Sequence, residues 1–451
     1  MAVGGRARRT PRAHHLHDGA NRRWRAAGQR IGCRDRERRR SRIVVDSEKQ
    51  RGYDFIKVHN NIAPNEYHAL LAEAKAQGII VVGHIPRAVG AEETLRAGQV
   101  GIAHAEEYYF TYFGVRPDTA KIPAIVTQTK AAHAWVVAML SSTPDILGLI
   151  ANIDSEMRFP EARYLPPAVF EDYRPANNGY LHRPNLAAFV ARNRIMGAFL
   201  PVFVKALSDS GANLLVGTDA TSLNFPGWAA HVEIRDLVEA GLTPYQALRV
   251  ATRNAGAFVA EHIRSTDRFG TIAPGMRADL ILLTANPLTD MRNIDSLSGV
   301  MARGRWRTIR ALRRLRDDAT ASYDSVKVLV VRFDSLVAAD RIREATAVFD
   351  RAVQTQPAEP PFNEGVLFDY GKALLPHDPA GAASLMRSAL RLYPDAFELH
   401  NALGRALVAT HDTTQARVEF ATALDLEPGN DASIRMLDSL RKQTRSREVT
   451  R

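Results

Sequence analysis

Residues 79–104 read IIVVGHIPRAVGAEETLRAGQVGIAH, and the order of apolar and polar stretches in them decides the fold class. Ile79-Ile80-Val81-Val82 is an unbroken apolar run, as expected of a parallel strand covered on both faces, and it runs out at His84. Ala91 to Ala97 reads as a short helix leading to a second apolar run, Val100-Gly101-Ile102-Ala103, which ends at His104. On the N-terminal side, Phe55-Ile56-Lys57-Val58-His59 is a short strand. Pro64 to Gln77 then sets Tyr67, Leu70, Leu71 and Ala74 at helical spacing and stops at Gly78. On the C-terminal side, Trp135 to Leu140 reads as a strand, followed by a long excursion containing Pro and Asn, a helix from about Asn185 to Ser210, and a strand at Asn213 to Gly217. The pattern is α/β with a parallel sheet.

The residue at the end of four of these strands is a metal-binding or proton-transfer type: Lys57, His84, His104 and Asp219. In a (β/α)8 barrel the C-terminal strand ends converge on one mouth, so residues distant in sequence become neighbours there. The spacings of 27 and 20 residues between Lys57, His84 and His104 fit one βα unit each. Singly, each has a plainer reading: a histidine hydrogen-bonded in a core, a lysine that snorkels, an aspartate before Ala220-Thr221 that caps a helix. Recurring together at strand ends, they point to one site.

These residues resemble a known family. DFIKVH (54–59), VVGHIP (81–86), GIAHAEEY (101–108) and LLVGTDA (214–220) are similar to strands four, five, six and eight of the metal-dependent amidohydrolase superfamily, in its imidazolonepropionase/prolidase-like branch. AGLTPYQALRVATRNAGAFVA (240–260) and FGTIAPGMRADLILLTANPL (269–288) resemble that branch's closing helix and its return to a small β-sandwich. Thr243-Pro244-Tyr245-Gln246 also reads as a capping box with proline at the first helical position. The resemblance implies an incomplete TIM-type (β/α) barrel with a β-sandwich remnant over residues 43–306. It implies further that Lys57 is a carboxylated lysine bridging two divalent metals, that His84 and His104 bind one of them, and that Asp219 binds the other and acts as general base. Zinc is the expected ion, in one or two copies. The implied substrate is a small molecule with a C–N bond: a non-peptide amide, a cyclic amide or an X-Pro-like compound.

One departure weakens that expectation. An intact member has a His-x-His pair at the end of strand one, yet only 56 residues precede Lys57, and three βα units need roughly 90. Strands one to three are therefore expected to be missing and the binuclear site incomplete. His15-Leu16-His17 spells the pair, but no apolar strand precedes it, so it is read as coincidence. The aromatic cluster Tyr108, Tyr109, Phe110, Tyr112 and Phe113 fits either a pocket lining or core packing.

Charge separates the head from the body. Of 451 residues, 60 are Lys or Arg and 49 Asp or Glu, while residues 1–42 hold 14 Arg, no Lys and three acids, leaving 46 of each sign elsewhere. The net charge of +11 thus belongs to a leader expected to be disordered, with no apolar period to fold it. Nucleic acid is not the expected partner: as a phosphate-tracking arm the leader has one aromatic residue, Trp24, and no lysine. The single Cys33 excludes an intrachain disulfide framework and a cysteine-rich zinc module. No membrane span and no secretory signal are read, so the chain as it stands reads as cytoplasmic, with export open if a native N-terminus is missing.

Beyond a connector at 307–324 the sequence repeats. Ala389-Leu390-Arg391-Leu392-Tyr393-Pro394 recurs as Ala423-Leu424-Asp425-Leu426-Glu427-Pro428, an offset of 34 residues, and Ala352 with Pro357 forms a weaker earlier copy. Leu403, Gly404, Leu407, Ala416, Phe420, Ala423 and Pro428 in the best copy, and Gly371, Ala382, Met386, Ala389 and Pro394 before it, resemble the tetratricopeptide family. Residues 325–443 are expected to form an all-α helical repeat domain with a cap from Asp431 to Gln443, and 444–451 a disordered tail. That domain either binds a protein partner, associates with itself or docks on the barrel. A competing reading of the whole chain is an inactive amidohydrolase-derived scaffold that acts in protein-protein interaction through these repeats.

Overall fold

Alternation along β2 (Phe55–Val58) sets the frame: Ile56 and Val58 are fully buried on one side, leaving Lys57 to the other. The computed structural model describes residues 13–15, 30–151, 163–174, 177–219, 227–263, 266–356, 359–427 and 430–449. Ile56 and Val58 pack with Tyr67, Leu70 and Ala74 on the helix Pro64–Gln77, together with Val45 and Val81. That helix ends as its sequence dictates. Gly78 takes the left-handed conformation (φ 66°) and its N–H bonds back to the carbonyls of Ala74 and Lys75.

The chain divides into two compact units, Met1–Gly148 with Asn185–Arg313, and Leu149–Pro184 with Arg314–Arg451. In the first, β1 (Ala13–His15), β2, β3 (Ile80–Gly83), β4 (Gly101–Ile102), β5 (Trp135–Val137) and β6 (Asn213–Leu215) form one parallel sheet in sequence order. Helices Ala91–Ala97, Ile122–Ala131 and Leu186–Ser210 connect or cover the strands. The last of these is long and apolar enough, by length and composition alone, to cross a membrane; its Met196, Phe199, Leu200, Phe203, Val204 and Leu207 are buried in the core of this unit. A separate antiparallel sheet, β7 (Leu280–Leu283), β8 (Leu297–Ala302) and β9 (Arg305–Thr308), is the sandwich remnant. The capping box at Thr243 is present, with Thr243 and Gln246 each accepting from the other's backbone N–H.

The second unit is helical. Tyr323–Ala338 pairs with Ile342–Thr355, Glu364–Leu374 with Pro379–Leu392, and Phe397–Ala409 with Thr413–Leu426, before a final helix Asp431–Val449. Small residues let the pairs close up: a Cβ on Gly371 would lie 2.3 Å from the Met386 methyl, and one on Gly404 2.8 Å from the Phe420 ring. These contacts recur one repeat apart. Pro357 and Pro428 lie outside the described residues.

Four expectations change. The head is not without structure: Ala13–His15 pairs in parallel with β2, His15 opposite Lys57 in register, and Arg30–Gln50 is a helix that runs through the boundary expected at residue 42. A strand edge binds backbone, not side chains, so β1 needs no apolar pattern to form. In the His15-x-His17 pair, His17 lies outside the described residues, as does Trp24. The sheet accordingly has six strands where five were read. The excursion after β5 leaves the barrel unit: Glu171, fully buried on helix Pro167–Tyr173, accepts the Asn363 N–H at 2.9 Å, and Arg174 pairs with Asp334, which also accepts the Tyr370 hydroxyl. Nothing in the local sequence says which core such a segment joins. Lastly, the terminal helix continues to Val449, past the end expected at 443.

Gly83 carries the β2–β3 junction. It holds φ +126°, and a Cβ there would stand 2.2 Å from the Val58 carbonyl oxygen and 2.7 Å from the Val58 nitrogen, backbone atoms that cannot turn aside. Gly83→Ala is expected to cost about 3 kcal/mol in chemical denaturation. A loss below about 0.5 kcal/mol would contradict this packing.

Candidate active site

Parallel strands deliver their C-terminal residues to one edge of the sheet, and here that edge collects Lys57, His84, His104 and Asp219. The His84 and His104 rings meet edge to face with centroids 4.9 Å apart, and His104 Nε2 lies 4.0 Å from Asp219 Oδ2. Lys57 is within electrostatic reach of Asp219, Glu107 and His84. Asp219 sits at φ 43°, a left-handed conformation that non-glycine residues seldom adopt.

Burial dominates the electrostatics. It holds the Lys57 amine below the usual lysine range, opposed by the charges of Asp219 and Glu107. It depresses His84 to about 3, helped by the neighbouring His104, His59 and Lys57, so His84 is a neutral imidazole with a buried Nδ1 that makes no hydrogen bond. It raises both Glu106 and Glu107 to about 7, against the pull of Arg87.

Several residues at this edge escaped the sequence reading. The His59 ring packs on His84 at 4.4 Å between centroids. Period-2 alternation could have found it, since 57 and 59 share a face. Glu107, 1% exposed, lies 3.5 Å from the Arg87 guanidinium, and Arg87 in turn stacks on Phe110 at 4.1 Å. Gln99 had no signal at all: its buried amide donates to the carbonyls of Gly83, His84 and Gly101 and accepts the Tyr67 hydroxyl, fixing the β3 end. Of the aromatic cluster, Tyr108, Tyr109 and Phe113 are buried core, whereas Phe110 and Tyr112 are partly exposed.

The donor chemistry suits a divalent cation: neutral imidazole, carboxylate and an amine whose burial favours its neutral form. Among the described residues, however, no group of three or more His, Cys, Asp or Glu side chains is arranged to hold a metal ion.

A parallel sheet bearing these side chains at its strand ends, with a helical repeat following, defines the class as an α/β fold joined to an all-α repeat module. Residues 56–307 match the family model described as Amidohydrolase family, and residues 373–439 match Tetratricopeptide repeat. The chain belongs to the amidohydrolase family. Among solved structures it is similar to bottromycin amidohydrolase, at 24% identity over 65% of this chain and 63% of that one (TM-score 0.46). It is also similar to a prolidase complexed with N-methylphosphonate-L-proline, at 20% over 66% and 68% (0.44), and to A. niger ochratoxinase, at 20% over 59% and 54% (0.42). The chain spans 54–68% of the length of these three structures. No curated protein matches it.

The depressed His84 has a sign that can be checked. Because its folded value lies below the ordinary 6.5, it favours the folded state above that pH, and this contribution is lost as pH falls from 6.5 toward about 3. In a ¹H–¹⁵N NMR titration, His84 is expected to stay neutral at pH 5. A midpoint near 6.5 would contradict its burial.

Proposed function

We propose that this chain is a metal-dependent hydrolase of C–N bonds in non-peptide amides, cyclic amides or X-Pro-like compounds. The observation that carries the reading is the convergence of Lys57, His84, His104 and Asp219 at one sheet edge. His84 and His104, with Asp219 and Lys57 beside them, are the residues that would hold a divalent ion, zinc by donor type. Such an ion, when bound, lowers the pKa of water and polarises a carbonyl. Asp219, the most exposed of the four, would take the proton from the attacking water, with His104 Nε2 4.0 Å from its carboxylate. Lys57, held near Asp219 and Glu107, is the group available for carboxylation.

A second reading has its own observation. The chain on this reading is an amidohydrolase-derived scaffold that acts in protein-protein interaction through its helical repeats, supported by the match of residues 373–439 to the tetratricopeptide repeat.

Elemental analysis and an amidase screen separate the two. The hydrolase reading predicts bound zinc or a related metal that falls at least tenfold in the His84→Ala/His104→Ala variant. It also predicts that Asp219→Asn slows hydrolysis by about 10³-fold. Full activity in Asp219→Asn would remove the base role, and a folded wild-type chain without metal after zinc supplementation would favour the scaffold.

A further inference from the structure

Seven of the fourteen residues from Arg303 to Arg316 are arginine, with no lysine and no acid among them. Beyond residue 42 the chain carries 46 charges of each sign, so this stretch is a local excess and not a share of a general one. The fold leaves that charge in water. Arg303 and Gly304, both at positive φ (50° and 77°), turn the chain from β8 into β9, an edge strand whose four residues are all exposed. Alternation puts Arg305 and Arg307 on one face of the sheet, in the row of Val300 and the exposed Ile281. The helix Ile309–Thr320 follows at once and buries none of its residues. Among the described residues, Arg303, Arg305, Arg307, Arg310, Arg313 and Arg314 make no ion pair within 4.0 Å. Asp279, which accepts the Arg303 backbone N–H at 2.6 Å and feels its charge, is held by the Arg277 side chain.

Apolar side chains that no core takes up are interleaved with these charges. Trp306 is 44% exposed, one edge of its ring resting where a Cβ on Gly299 would stand 2.2 Å away. Ile309, Leu312 and Leu315 follow at three-residue spacing along one side of the helix, with Arg310, Arg313 and Arg314 on the adjoining side. A partner for this stretch must therefore supply anionic groups and an apolar medium together. A nucleic-acid backbone supplies only the first and leaves the aliphatic side in water. The headgroup–acyl boundary of an anionic membrane supplies both, at the depth that suits the amphipathic ring of tryptophan.

We propose that the β8–β9 hairpin and the start of the helix Ile309–Thr320 dock on a membrane surface containing anionic phospholipid, with the arginines on the headgroups and Trp306, Ile309 and Leu312 at the acyl boundary. The docking stands whether or not Lys57, His84, His104 and Asp219 hold a metal, because it uses none of them.

The test is flotation of the full chain with phosphatidylcholine vesicles containing about 30% phosphatidylserine, beside vesicles of phosphatidylcholine alone, at about 0.15 M salt. The wild type is expected to partition about 100-fold more strongly into the anionic vesicles. Arg305→Gln/Arg307→Gln/Arg310→Gln/Arg313→Gln is expected to lose about 100-fold, and Leu312→Gln/Leu315→Gln about tenfold, the second loss separating insertion from attraction of charge alone. Thermal melting checks that the variants fold. If the fourfold variant does not, Arg310→Gln/Arg313→Gln is expected to lose about tenfold, and undiminished partition there would count against the proposal. The arginine-rich leader is the competing source of charge, and partition that survives the fourfold substitution would assign binding to it and overturn the proposal. Equal partition into both vesicles, no partition at all, or a leucine variant that partitions as the wild type does would overturn it as well. A DNA duplex bound more tightly than the anionic vesicles through the same arginines, and unaffected by Leu312→Gln/Leu315→Gln, would put nucleic acid in place of the membrane.

Discussion

The β2–β3 ladder is the constraint on which the candidate site depends. Val58 pairs with Gly83 in parallel register, and the missing Cβ of Gly83 lets the Val58 backbone pass where any side chain would collide with it. With the two strands locked, Ile56, Val58 and Val81 point into one apolar cluster. Lys57, His59 and His84 are then left together on the opposite side. The His84 N–H bonds the Val58 carbonyl at 3.0 Å, so the imidazole follows directly from that ladder. Gln99, two residues ahead of β4, secures the same turn by holding three carbonyls with one amide. A site built from short strand ends needs this backbone support, because β2, β3 and β4 are two to four residues long.

What the frame does to charge follows from burial. Lys57, Glu106, Glu107 and His84 all leave water together, and each is pushed toward its neutral form. Such a cluster is costly for a scaffold to keep and useful for a catalyst, which needs groups whose proton affinity lies near neutrality and imidazoles that stay unprotonated. The neighbouring Arg87 and Arg192 keep the cluster from being wholly acidic.

Much of this was legible in the sequence. Apolar runs ending in Lys57, His84, His104 and Asp219 follow from period-2 strands and the polarity of a parallel sheet, so fold class and site edge could be read together. The 34-residue offset likewise exposed the repeats, because each small residue must recur where helices touch. The pairing of Ala13–His15 with β2 could not be read, since it is a backbone event at a strand edge with no side-chain signature. The allegiance of the helix Pro167–Tyr173 was equally hidden: Glu171 accepts from Asn363, 192 residues on, and Arg174 pairs with Asp334, 160 residues on. Gln99 and Arg87 acquire meaning only from neighbours contributed by other strands and helices.

Cobalt(II) titration of the metal-free chain, followed by visible absorption, tests whether His84, His104 and Asp219 hold a divalent ion, because ligand-field bands report the donors themselves and need no substrate. Saturable binding of at least one ion is expected, with bands characteristic of imidazole and carboxylate donors that vanish in His84→Ala and change in Asp219→Asn. A folded chain that leaves the cobalt spectrum as that of the hydrated ion, or one whose bands persist in both variants, would contradict it.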